Sequence, residues 1–122
     1  MHDNGGAIFV QLMHTGRASA YQNMPEGGEI VAPSAIPSTT EVWTDSDGDV
    51  TAPIPKEMTT MQVHQVIDEY VDSATKLING ANLDGVELHA ANGYLIDQFL
   101  NPKANNRVDE FGGDGKKELI FY

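Results

Sequence analysis

With 122 residues, 40% of them hydrophobic, the chain is long enough for one domain and apolar enough to form a core. Its 18 acidic residues against 7 basic ones leave a net charge of -11, so neither nucleic acid nor an anionic membrane surface is the expected partner. There is no cysteine, which excludes a disulfide framework, a thiolate nucleophile and a zinc-thiolate site, and fits a cytoplasmic protein.

The first residues, Met1 to Gly6, carry no basic region and do not read as a signal peptide. No apolar stretch approaches the ~20 residues that span a bilayer. Ala7-Ile8-Phe9-Val10-Gln11-Leu12 is an apolar run broken by one Gln. Its length and β-branched content predict a strand buried on both faces, as in parallel sheets. Residues 16 to 40 are rich in Gly, Pro, Ser and Thr without helical period, which predicts a loop.

Glu41 to Thr44 and Val50-Thr51 flank Asp45-Ser46-Asp47-Gly48-Asp49, a short hairpin with Asp-Gly in its tip. The alternating Asp residues invite a calcium loop. Counted from Asp45, the positions that need Gly and Glu hold Val50 and Lys56, so the tip reads as a solvated turn.

A helix is predicted from about Thr59 to Asn79. Thr59 with Gln62 forms a capping box. Val63, Val66, Ile67, Tyr70, Val71, Ala74, Leu77 and Ile78 make one apolar stripe that should pack on a sheet, and Asn79-Gly80 supplies the stop. Gly85 to His89 reads as a second buried strand. Gly93 to Leu100 reads as a short helix that turns Leu95, Ile96, Phe99 and Leu100 inward. Lys103 to Gly113 is a polar, Gly-rich tail. Strand, helix and buried strand in that order imply an α/β fold with a parallel crossover.

The chemistry gathers where the second strand ends, the place where α/β proteins build sites. His89 and Asn92 can both donate an N–H toward one oxygen and stabilise negative charge there. Tyr94 carries a phenol with an ordinary pKa near ~10, so it holds a proton at neutral pH and can act as a general acid. On residues alone, a strand-end His is more often a satisfied structural residue than a catalyst.

Four stretches together carry more. His89-Ala90-Ala91-Asn92-Gly93-Tyr94-Leu95-Ile96-Asp97-Gln98-Phe99-Leu100 closely resembles the segment after the fourth barrel strand of the Old Yellow Enzyme family. Gln11 to Arg17 is similar to the end of that family's third strand, and Val31 to Ile36 to its following loop. Arg107-Val108-Asp109-Glu110-Phe111-Gly112-Gly113 is similar to its Arg-x-Asp-x-Tyr/Phe-Gly-Gly run. The resemblance covers about residues 5 to 113 and leaves 114 to 122 as a divergent tail of a single partial domain, 1 to 122.

The resemblance implies a fragment of a (β/α)8 TIM barrel, about its third and fourth βα units, since a whole barrel needs ~250 residues. It implies FMN, reduced by NADPH or NADH, and reduction of the C=C bond of α,β-unsaturated carbonyl compounds such as small-molecule enones. His89 and Asn92 would bind the substrate oxygen, Tyr94 would protonate the α-carbon, and Gln11 would bond the pyrimidine edge of the flavin. Met13 falls where many relatives carry an aromatic. His14 and Arg17 take no chemical role, and no metal site is expected. The alternative expectation is a truncated, non-catalytic fragment that acts, if at all, by association through its open sheet edges.

Overall fold

The computed structural model describes residues 1–113, so residues 114–122, expected from the sequence to be a divergent tail, lie outside the described residues. After a 3-10 turn at His2–Asn4 the chain enters β1, Phe9–Leu12. A short strand β2 follows at Val31–Ala32, then the hairpin strands β3, Glu41–Thr44, and β4, Gly48–Thr51, then β5, Lys56–Glu57. Helix α1 spans Thr60–Thr75, strand β6 Gly85–Leu88 and helix α2 Leu95–Leu100. β1 pairs with β6 in parallel, β2 with β5 in parallel, and β3 with β4 antiparallel.

Local chemistry explains the elements that the sequence predicts. Thr59 accepts the Gln62 backbone N–H at 3.2 Å, and the Thr59 N–H donates to the Gln62 carboxamide at 2.9 Å. That closed capping box starts α1. At the other end the helix widens into a π turn over Lys76–Gly80. The extra residue of that turn delays the chain reversal. The left-handed residue is therefore Asn82, at φ 55, and not the expected Asn79-Gly80. The hairpin forms as predicted, with Gly48 at φ 68 where a left-handed residue is needed.

Burial departs from the expectation for both strands of the main sheet. Phe9 is 63% exposed and Leu88 40%. Phe9 lies on the face away from α1, which meets solvent; Leu88 lies beside Leu12 on the α1 side, where the helix covers it only in part. β6 also stops at Leu88, one residue short of His89. The helical stripe is covered only in part: Val63 is buried, but Val71 and Ile78 are exposed. The core lies away from the sheet, where Met58, Val63 and Leu95 meet and Val31, Val66, Ile67, Phe99 and Phe111 pack around them.

Two further segments differ from expectation. Part of the supposed loop 16–40 becomes β2, because Ile30 and Ala32 can give their carbonyls to the amides of Lys56 and Met58. Residues 103–113 are not merely a polar tail. The Arg107 side chain is 5% exposed and donates to the carbonyls of Pro33 and Met58 and to the Asp109 carboxylate. Asn105 is buried and donates to the carbonyls of Phe99 and Phe111. These bonds fasten the tail across β2, the start of α1 and the end of α2. Within the described residues no helix is long and apolar enough to cross a membrane.

Candidate active site

The register of the main sheet decides what shares a face. Phe9 lies opposite Gly85, Gln11 opposite Glu87 and Leu12 opposite Leu88. Side chains alternate along a strand, so Phe9 and Gln11 lie on the open face together with Glu87. His89 continues that row, since its N–H bonds the Leu12 carbonyl at 2.9 Å and extends the ladder. Phe9 occupies the space that Gly85 leaves; a Cβ there would stand 2.3 Å from a ring atom.

Gln11 donates from its Nε2 to the Glu87 carboxylate at 2.9 Å. Glu87 is a site neighbour that sequence reasoning passed over. The signal was present, because Glu87 is a charged residue within an apolar strand, two residues before His89. The same kind of interruption singles out Gln11.

Beyond β6 the chain makes a tight turn. Asn92 at φ 58 and Gly93 at φ 77 are both left-handed, and the Tyr94 N–H closes the turn on the Ala91 carbonyl at 3.2 Å. Asn tolerates this region better than other side-chain-bearing residues, and Gly adopts it freely. The turn folds Tyr94 back onto His89. Their ring centroids lie 4.8 Å apart at 82°, an edge-to-face pair. The Ala91 N–H reaches His89 Nδ1 at 3.4 Å, which leaves Nε2 as the N–H donor of a neutral ring. Asn92 is exposed and Tyr94 half-buried.

The turn is supported from α2. The Asp97 carboxylate accepts the Gly93 N–H at 2.7 Å, and the Leu95 N–H bonds the His14 carbonyl at 2.9 Å. His14 itself points to the helix side. It lines a cavity of about 160 Å³ with Leu12, Val66 and Tyr70, its Nδ1 accepts the Gly16 N–H, and burial lowers its pKa. Burial raises the pKa of the Tyr70 phenol, and the His14 backbone pulls it partly back. The Tyr70 hydroxyl nevertheless finds no partner in hydrogen-bonding geometry. Met13 borders a second cavity of about 270 Å³ with Met24 and Ile30. Arg17 donates to the carbonyls of Ile36 and Pro37. Neither cavity is lined by Gln11, His89, Asn92 or Tyr94, which stand at or beside the open face. Among the described residues no three His, Cys, Asp or Glu converge as a metal site.

The geometry offers N–H donors, a phenolic acid and a carboxamide at one end of a parallel strand pair. Residues 1–122 match the model of the NADH:flavin oxidoreductase / NADH oxidase family. The "Probable flavin mononucleotide-dependent alkene reductase" of Leishmania infantum is 42% identical over 125 residues, covering 99% of this chain and 34% of that protein. The NADPH dehydrogenase of Geobacillus thermodenitrificans is 40% identical over 119 residues, covering 98% of this chain and 30% of its own length. Among solved structures, the Old Yellow Enzyme homologue from Zymomonas mobilis superposes with a TM-score of 0.81 at 37% identity, covering 93% of this chain and 32% of that one. Morphinone reductase gives a TM-score of 0.83 at 33% identity, with the same coverage, 93% and 32%. The chain thus spans about a third of the length of these relatives.

Proposed function

The chain belongs to the NADH:flavin oxidoreductase / NADH oxidase family, that of the Old Yellow Enzymes, and we propose that it is the substrate-activating portion of an ene-reductase barrel, its third and fourth βα units. The observation that carries this is the His89–Tyr94 ring pair at 4.8 Å, at the end of the face that holds Gln11. His89 Nε2–H and the Asn92 carboxamide donate to the oxygen of an α,β-unsaturated carbonyl compound. They draw charge toward that oxygen and leave the β-carbon electron-poor. Tyr94 gives its phenolic proton to the α-carbon. Gln11 would hold the ring of FMN, which when bound and reduced by NADPH or NADH would supply hydride chemistry beside the β-carbon.

The donor set fits the ring portion of that cofactor. Gln11 uses one N–H on Glu87. Its other N–H and its carbonyl oxygen stay available for a ring edge that both donates and accepts. Glu87 thereby fixes which way the amide points. For the phosphate the described residues offer little. Arg107 is committed to Asp109 and two backbone carbonyls, and Arg17 to two others.

The test is NADPH-dependent reduction of cyclohexenone by the flavin-loaded protein. Tyr94→Phe should slow re-oxidation of the reduced flavin by the enone about 10²- to 10⁴-fold, with binding of the enone nearly intact. An unchanged re-oxidation rate removes Tyr94 as the proton donor.

A second reading is favoured by the open site face. In it the chain is a non-catalytic fragment acting through association. The visible spectrum of the protein purified without added flavin separates the two. A flavin band near stoichiometric amounts supports the catalytic reading, and its absence supports the fragment.

A further inference from the structure

We propose that Gln98 is the positioning residue of this site: its buried carboxamide locks the turn that carries Asn92 and Tyr94 to the loop that leaves β1. The inference deepens, and rests on, the assignment of His89, Asn92 and Tyr94 as the substrate-activating group.

Gln98 lies on α2 and is 1% exposed. Its Nε2 donates to the Gly93 carbonyl at 2.6 Å and to the Thr15 carbonyl at 3.0 Å. Its Oε1 accepts the Arg17 N–H at 3.1 Å. One side chain therefore satisfies backbone groups from two loops, and a single nitrogen sets the distance between their carbonyls. Only a carboxamide can make this set, with two N–H donors and an acceptor in one plane. The loop from β1 is shaped to receive it. Gly16 has φ +58, and a Cβ there would stand 2.1 Å from Gln98 Oε1.

The other end of the clamp is the strained part of the site. Asn92 and Gly93 both have positive φ, and a non-glycine residue keeps that conformation only where its surroundings hold it. Gly93 is held on both sides, its N–H by Asp97 and its carbonyl by Gln98. Tyr94 follows directly, and its own carbonyl accepts the Gln98 N–H at 2.8 Å, which opens α2. When the Gln98 donors are removed, the turn loses the bond that sets Tyr94 against His89. The half-buried carbonyls of Gly93 and Thr15 then lose this donor.

The experiment uses the full chain and two readouts that need neither flavin nor turnover. One is the NMR signature of the His89–Tyr94 ring pair, its inter-ring NOE and ring-current-shifted resonances. The other is amide hydrogen exchange. Gln98→Glu keeps the size and the acceptor oxygen but removes both N–H donors. It should abolish the ring-pair signature. It should also speed exchange about tenfold or more at residues 15–17 and 91–95, while the β3–β4 hairpin and α1 stay as they were. Gly16→Ala, which crowds Oε1 without altering Gln98, should give the same pattern, and it decides the matter if Gln98→Glu does not fold. Asn105→Asp alters an equally buried carboxamide and should leave the ring pair intact. A preserved ring pair in Gln98→Glu overturns the proposal. So does exchange that rises equally in hairpin and α1, or loss of the ring pair in Asn105→Asp. A failure to reduce enones would bear on the proposed function and leave these outcomes unaffected.

Discussion

At the scale of single residues, Arg107 and Asp109 are the most tightly held charges of the described chain. The Arg107 guanidinium bonds the Asp109 carboxylate and holds its pKa at about 2, helped by the Thr60 hydroxyl and opposed by partial burial. In the unfolded chain that carboxyl titrates at the ordinary value of 3.8. The folded state therefore binds fewer protons between the two values. The resulting stability is full above pH 3.8 and is lost as the pH falls toward 2. Asp109 is 29% exposed, so screening reduces the effect to on the order of 1 kcal/mol. Asp109→Asn should flatten the acid limb of stability between these pH values, measured by urea unfolding at each pH. Arg107→Ala removes the ion pair to Asp109 and leaves the Pro33 and Met58 carbonyls without this donor, and should lower the unfolding free energy by about 2–3 kcal/mol. Arg107 and Asp109 stand in a motif legible in the sequence. Their clasp was not, since a polar run of this kind reads as solvated until the carbonyls of Pro33 and Met58 are seen to meet it.

At the scale of elements, α1 shows how far local rules reach. The Thr59–Gln62 box depends on residues three apart, so sequence and structure agree on it. Thr59→Ala should cost about 1 kcal/mol of stability by urea unfolding followed at far-UV wavelengths. An unchanged midpoint would mean that packing at Val63 alone fixes the helix start. The same helix shows where local rules fail. Val71 and Ile78 fit the stripe by period yet are exposed. Periodicity says which side is apolar, and only a neighbouring element can cover it. β2 was invisible for a related reason. Its two residues gain strand geometry only from Lys56 and Glu57, about 25 positions away.

At the scale of the whole molecule, Phe9 on the open face, the half-exposed Met13 and Leu88 and the exposed Val71 and Ile78 leave apolar surface in water. Among the described residues both outer edges of the β1–β6 sheet are also unpaired. Opposing their burial is a net charge of -11, which keeps copies apart. Salt screens that repulsion and leaves the apolar attraction in place. The chain is therefore expected to associate more strongly as sodium chloride is raised, as read by sedimentation velocity over a range of concentrations. A species that stays monomeric at high salt and high concentration would show that these faces do not seek a partner.

The sequence by itself determined the elements whose causes are local: the capped α1, the Asp-Gly hairpin and the two strands joined through a helix. It also marked the candidate site, because His89, Asn92 and Tyr94 lie within six residues and Gln11 interrupts an apolar strand. Only the tertiary structure decided that Gln11 meets Glu87, that Tyr94 turns back onto His89, and that Gln98 ties the two loops. Each of these depends on a register or a left-handed turn that brings distant backbone groups within hydrogen-bonding distance, and no spacing along the chain encodes that distance. His89, Asn92 and Tyr94 are legible because one turn holds them. Their fixed geometry is not, because it is imposed by bonds from a loop some 75 residues earlier.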